Sequence, residues 1–125
     1  IIDAGTTAYH VAKHLGGKAS HIITNSLPVA NHFGSDNSVE VLVTGGVIYP
    51  RLGVLVGPLA VESLSMMHAD IAIMSGGGIT LDGVTNSHAL LIDIQFQGTK
   101  ALSTKTLMWC RLSLLQNFLL FFQIS

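Results

Sequence analysis

Through residue 95, short apolar, β-branched runs alternate with segments whose apolar residues recur at helical spacing. Ile1-Ile2 has the character of a strand end, and Asp3-Ala4-Gly5-Thr6-Thr7 that of the turn after it. From Ala8 to Leu15, residues Ala8, Val11, Ala12 and Leu15 share one helical face, and Gly16-Gly17 stops the helix. His21-Ile22-Ile23-Thr24 reads as the next strand. Asn25-Ser26 is a turn and cap, and Pro28 suits the first turn of a helix running to about Phe33. Val39 to Thr44 predicts a third strand, apolar enough to be covered on both faces. Gly45-Gly46 leads into Val47-Ile48-Tyr49 and Val54-Leu55-Val56, a strand pair around Pro50-Arg51-Leu52-Gly53. Gly57-Pro58 opens a helix to about Met67. Asp70 to Met74 is a buried strand, with Ser75-Gly76-Gly77-Gly78 as its exit loop. Leu81-Asp82-Gly83-Val84 carries an Asp-Gly turn signal, and Asn86-Ser87 caps a helix to about Gln95.

Strands alternating with helices predict an α/β fold, a Rossmann-like three-layer sandwich with a mainly parallel sheet. Crossovers would be right-handed, and a ligand would sit beyond the carboxyl ends of the strands. The pattern fails after Gln95. Gln97-Gly98-Thr99-Lys100 interrupts the last helix, and the stretch ending in Phe118-Leu119-Leu120-Phe121-Phe122 has no clear period. Residues 1–95 are expected to form one domain and 96–125 an apolar tail outside it. A reading-frame slip near Gln95 is favoured over a variable native tail that packs as a helix. The start in mid-strand, without an initiator Met, is expected of a fragment truncated at its amino end.

Composition narrows the function. The 125 residues are 49% hydrophobic and 10% charged, as in a globular domain, with a net charge of −1. A domain that grips DNA by itself shows a basic face, and none is visible here. Cys110 is the single cysteine and the six histidines are scattered, so neither a disulfide nor a metal site is expected, and no cofactor. Arg111, Gln116 and Asn117 interrupt the apolar stretch Leu107 to Ile124, which argues against a membrane span. His10, His14, His21, His32 and His68 read as surface or packing residues, and Met66-Met67 as core filler. His88, next to the Asn86-Ser87 cap, is a weaker ligand candidate. Ser26 stands in no nucleophile-elbow pattern.

The chemistry is concentrated in the turns after the strands: Asp3-Ala4-Gly5-Thr6-Thr7, Thr24-Asn25-Ser26, Thr44-Gly45-Gly46 and Ser75-Gly76-Gly77-Gly78. A parallel sheet would gather all of them at one end. They offer hydroxyls, an amide and exposed backbone N–H groups, several at helix starts, where an anion is favoured. A phosphate ester, with about −1.5 to −2 charges at neutral pH, is the natural guest. Arg51 could clamp it from the strand-pair excursion. Singly, each element has a simpler explanation as a turn, a cap or a solvated loop residue. The binding candidates are Asp3, Gly5, Thr6, Thr7, Thr24, Asn25, Ser26, Gly45, Gly46, Arg51, Gly76 and Gly77.

The order of these motifs resembles the carboxyl-terminal sensor domain of the DeoR family of bacterial transcriptional regulators. The resemblance rests on Asp3-Ala4-Gly5-Thr6-Thr7, Thr24-Asn25-Ser26-Leu27-Pro28-Val29-Ala30, Gly45-Gly46 with Arg51, Leu55-Val56-Gly57-Pro58, Ala69-Asp70 and Gly83-Val84-Thr85-Asn86-Ser87, and covers residues 1 to about 95. It implies a cytoplasmic repressor domain that binds a phosphorylated sugar or related metabolite and changes operator affinity. DNA would be met only through a winged helix-turn-helix ahead of this chain, in a homo-oligomer. The implied fold is similar to ribose-5-phosphate isomerase and the CoA transferases. Motif matching implies that Gly5, Thr6 and Thr7 meet the phosphate, that Thr24, Asn25 and Ser26 line the pocket, and that Gly45, Gly46 and Arg51 contribute.

Two departures stand out. The isomerases carry an acidic Asp-Gly-Ala-Asp-Glu-like loop where this chain has Ser75-Gly76-Gly77-Gly78-Ile79. Without that base, binding without turnover is expected rather than isomerisation, for which Asp82 would be the substitute candidate. The family's Asp-His-Thr-Lys-Phe-like motif is not found after Gln95. The alternatives to a sensor are an isomerase-like enzyme and a non-functional remnant.

Overall fold

The computed structural model describes residues 1–80, 83–86, 89–110 and 118–122. The elements in order are α1 (Thr6–Ala12), β1 (His21–Thr24), α2 (Leu27–Phe33), β2 (Glu40–Val43), β3 (Val47–Tyr49), β4 (Val54–Val56), α3 (Pro58–Ser65), β5 (Ala69–Gly76), β6 (Gly78–Thr80), β7 (Gly83–Thr85), α4 (Ala89–Lys100), β8 (Leu102–Cys110) and β9 (Phe118–Phe122).

A parallel pair, β2 and β1, runs in register from His21↔Glu40 to Thr24↔Val43. Ile2 joins this pair to β5, with parallel bridges to both Thr24 and Ile73. The backbone bonds of this short first strand are Ile2 N–H to Ile23 O (2.8 Å), Asp3 N–H to Ile73 O (2.9 Å) and Ile73 N–H to Ile1 O (2.8 Å). β8 extends the sheet parallel to β5, and β9 closes it antiparallel to β8. The α/β class and the parallel pairing follow the sequence pattern.

Side-chain alternation decides what covers the sheet, because successive strand residues point to opposite faces. Ile2, Ile22 and Ile73 share a core with Ala8 and Ala12 of α1 and Val29 and Phe33 of α2. Their neighbours Ile1 and Ile23 pack instead with Ala60 and Leu64 of α3 and Ile94 of α4. Each fully buried aliphatic side chain contributes about 1.5–3 kcal/mol. Local signals place the helices. Ser26 caps α2 by accepting from Val29 N–H, Pro28 lies in its first turn, and Pro58 opens α3 after Gly57 at φ 96°.

Several expectations are corrected. β2 is not covered on both faces: Glu40 and Val43 are exposed, because among the described strands it has a partner only in β1. The exit loop is shorter than expected, since Ser75 and Gly76 belong to β5 and Gly78 to β6. Met66 is 69% exposed, not core, because α3 ends at Ser65 and Met66 follows as its cap. Gln97-Gly98-Thr99-Lys100 does not break the last helix. Gly98 is buried inside α4, where a Cβ would stand 3.1 Å from Met74 Cε, so the glycine serves close helix–strand contact. Beyond Gln95 the alternation continues into β8. Leu81 and Asp82, where the Asp-Gly turn was expected, and Ser87 and His88 lie outside the described residues; β6 and β7 pair antiparallel. Among the described residues no helix is long and apolar enough to cross a membrane.

Candidate functional site

Parallel register brings the strand exits together. Ile2 sits between Thr24 and Ile73, and Thr24 pairs with Val43, so Asp3, Asn25 and Thr44 leave the sheet along one edge, where Ser75 and Gly76 finish β5. Thr44 N–H still donates to Thr24 O at 3.1 Å, which keeps the second and third exits side by side.

The polar residues of this edge fall into a buried tier and an outer tier. In the buried tier, Thr24 Oγ1 donates to Ile2 O (2.7 Å) and accepts from Ser26 N–H (3.0 Å). Asn25 Nδ2 donates to Leu55 O (3.1 Å), and Leu55 N–H returns a bond to Asn25 O (2.8 Å). Ser26 bridges antiparallel to Val54. The β3–β4 hairpin therefore lies against the second exit. It packs Val54 and Val56 with Ala4 and Leu91, an apolar cover over part of the edge. Asn25 and Ser26 are buried rather than open to a cleft: Asn25 bonds the hairpin at Leu55, while Ser26 caps α2 and lies opposite Val54.

The outer tier consists of Gly5, Thr7, Gly45, Gly46 and Gly76, which are partly exposed, with Thr6 and Gly77 exposed. Gly45 and Gly46 have φ of 74° and 113°, conformations that favour glycine. At Gly46 a Cβ would also lie 2.6 Å from Val56 O. Gly77 N–H donates to Thr85 O (2.8 Å). Arg51 is exposed at the turn of the hairpin, whose Gly53 O accepts from Leu27 N–H (2.9 Å).

Asp3 is the most unusual residue of the edge. It is 2% exposed. Its Oδ2 accepts from Ser75 N–H (3.1 Å), Ser75 Oγ (3.1 Å) and Gln95 Nε2 (2.8 Å), while Oδ1 is buried without a partner among the described residues. Gln95 Nε2 also donates to Ser75 O, and Ser75 Oγ has Ala4 O as a second acceptor at 2.9 Å. Burial pushes the Asp3 carboxyl above its ordinary 3.8, against the opposing pull of these hydrogen bonds. A cavity of about 10 Å³, room for roughly one water, is lined by Asp3 and Asn25 together with Ile1, Leu64, Met74, Ile94 and Gly98.

Sequence reasoning missed Ser75 as an anchor, Gln95, and the buried Thr44, whose carbonyl accepts from Ser63 Oγ at 2.6 Å. A signal existed for Gln95: with Leu91 and Gly98 it lies on the buried face of α4, an amide in an apolar stripe. His10, His14, His21, His32 and His68 are all exposed. His10 and His14 do stand four residues apart, but α1 ends between them at Ala12. Among the described residues no group of three or more His, Cys, Asp or Glu is placed to hold a metal ion.

Residues 1–109 match the family model described as the DeoR C terminal sensor domain. The match extends past Gln95 into β8. Over 88 residues the chain is 34% identical to the HTH-type transcriptional repressor GlcR of Bacillus subtilis, covering 70% of this chain and 34% of that protein. It is 27% identical to the L-fucose operon activator of Escherichia coli over 74% of this chain and 38% of the relative. It is 30% identical to the HTH-type transcriptional regulator UlaR of Salmonella arizonae over 72% and 36%. The chain thus spans little more than a third of the length of these relatives. No solved structure matches it.

Proposed function

This chain belongs to the DeoR family through its C-terminal sensor domain, and from that premise we propose that it is the effector-binding module of a transcriptional repressor, taking a phosphorylated sugar at the shared strand-exit edge. The observation that carries the proposal is the double bridge of Ile2 to Thr24 and Ile73, which gathers loops 3–7, 24–26, 44–46 and 75–77 at one edge. Gly5, Thr6 and Thr7 with Gly45, Gly46, Gly76 and Gly77 would meet the ligand, since hydroxyls and glycine backbone suit a phosphate. Asp3, Thr24, Asn25 and Ser26 would act from behind, holding the loops. Arg51, exposed on the hairpin, would close on the anion from outside.

The binding unit would comprise residues 1–95, which hold all four rim loops, with β8 extending the sheet behind it. Helices on both faces of the sheet support a Rossmann-like three-layer architecture. DNA would be contacted by a helix-turn-helix in the part of the relatives this chain does not span, in a cytoplasmic homo-oligomer. Ligand would shift the repressor between DNA-competent and DNA-released states, a coupling of about 1–3 kcal/mol.

The domain is a regulator rather than an isomerase. An isomerase needs a free carboxylate base at the exit of β5. That exit carries Ser75 and Gly76, and the nearest described carboxyl, Asp3, is buried and engaged by Ser75 and Gln95.

A thermal-shift screen with sugar phosphates tests the proposal. A ligand at 100 times its Kd adds about 2.7 kcal/mol of stability. Stabilisation by a sugar phosphate, and not by the same free sugar, is expected. No shift with any phosphorylated sugar tested would overturn it.

A further inference from the structure

The first and fourth exits are tied by one cluster. Gln95 uses its single amide nitrogen on both Asp3 Oδ2 and Ser75 O, joining the residue ahead of Ala4-Gly5 to the residue ahead of Gly76-Gly77. Ser75 Oγ is shared between Asp3 Oδ2 and Ala4 O, and it lies against Gly5 where any Cβ would collide with it. Among the described residues no charged group compensates Asp3. Ser75 and Gln95 bond it, and the small cavity beside it is lined by Ile1, Asn25 after β1, Met74 of β5, Leu64 of α3 and Ile94 and Gly98 of α4. The charged groups of those elements and of α1, namely His10, His21, Glu62, Asp70, Asp93 and Lys100, are exposed. The Ile1 amino group, which shares the small cavity, donates to Ile71 O at 2.7 Å.

We propose that Asp3, Ser75 and Gln95 form a proton-linked latch that sets the spacing of the Gly5 and Gly76 loops, so that an anion settling on these loops draws a proton onto Asp3. The inference rests on the anion-binding role proposed above. The physics is mutual repulsion. A dianion brought to Gly5 and Thr6 faces a carboxylate held behind the same loop in a medium that screens poorly, and protonation removes the conflict. The proton balance is simple: one proton passes from solvent to the Asp3 carboxyl as the anion binds, and returns when it leaves. By linkage, the anion then binds more tightly on the acid side of the Asp3 titration. Gln95 is a positioning residue, because it acts on the loops only through Asp3 and Ser75.

Inorganic sulfate is the probe, since it does not itself titrate in this range. Calorimetric titration of the whole chain with sulfate, in buffers of different ionisation enthalpy, counts the protons taken up and needs no variant. Uptake of part of a proton is expected, together with a loss of at least about fivefold in affinity as pH rises through the Asp3 titration. D3N should bind sulfate with less proton uptake and a weaker pH dependence than the unaltered chain; the Ile1 amino group is common to both proteins and cancels in that difference. Q95M should weaken binding while keeping the proton linkage. Sulfate binding without proton uptake in the unaltered chain, or uptake in D3N equal to that of the unaltered chain, overturns the latch and leaves the anion site standing. Absence of sulfate binding at every pH overturns the anion site itself, and the latch with it.

Discussion

Gln95 and Asp3, 92 positions apart in the chain, meet at 2.8 Å inside the domain, where the amide of one supports the carboxyl of the other. This contact joins the last helix of the described α/β alternation to the first loop of the candidate site. Its energetics can be tested apart from any ligand.

Replacing Asp3 with Asn should change how stability depends on pH. The folded-state pKa of Asp3 lies above the ordinary 3.8, so the folded protein holds this proton more tightly than the unfolded chain. As pH rises from about 3.8 through the folded value, the unfolded state ionises first and stability falls. Above the folded value the loss is complete. D3N keeps an oxygen to accept from Ser75 and Gln95 and carries no charge, so it should not show that fall. The difference in Tm between D3N and the parent, followed from acid to neutral pH, should grow in favour of D3N and then level off. A flat difference would mean that Asp3 is not buried as described.

Gln95→Met should destabilise the domain by about 1–3 kcal/mol, the cost of removing a donor from a buried carboxyl and a buried carbonyl. Most of that cost should disappear in a background that already carries Asp3→Leu, because the carboxyl that needs the donor is gone. Urea unfolding of the single and double variants measures the coupling. Additive effects would contradict a direct contact.

Gly5→Ala should be destabilising for a steric reason and not a backbone one. Gly5 has φ 163°, an extended conformation open to any residue, but an added Cβ would collide with Ser75 Oγ and stand 3.0 Å from Ser75 Cβ. A cost of about 1–3 kcal/mol is expected, in the range of overpacking. Ser75→Gly should relieve that clash, so in chemical denaturation the double variant should be more stable than the two separate losses sum to.

Gly46→Ala should cost more than Gly45→Ala. Both positions have positive φ, but only Gly46 would bring its Cβ within 2.6 Å of a backbone carbonyl, Val56 O. At Gly45 the nearest atom is Leu59 Cδ2 at 3.6 Å, an ordinary contact. Backbone strain of about 1–3 kcal/mol is common to both, and the clash adds to it at Gly46 alone. Equal Tm losses would show that the third exit does not pack against β4.

Up to Gly76 the chain order of strands and helices was legible because its determinants are local, whereas the β6–β7 pair was read only as a loop and a turn. Ile22-Ile23 and Val54-Leu55-Val56 are short β-branched runs, Pro28 and Pro58 sit in first helical turns, and Ser26 accepts the bond expected of a cap. The bringing together of Asp3, Asn25, Thr44 and Ser75 at one edge also followed from sequence, since consecutive parallel strands must release their exit loops on the same side. The helical continuation through Gly98 was not legible. A glycine in a helix looks like a stop until Met74 is found packed against it.

The amino-acid order alone determined which residues stand at the strand exits, because period, turn chemistry and caps act over a few neighbouring positions. Tertiary structure decided which of them face inward. Asn25 became a brace for the β3–β4 hairpin, Thr24 a tie to Ile2, and Asp3 an enclosed acid held by Gln95, through contacts between distant segments. Such contacts leave little trace in local pattern, since a polar side chain reads the same on a surface loop and in a closed hydrogen-bond cluster until its partner arrives from elsewhere in the chain.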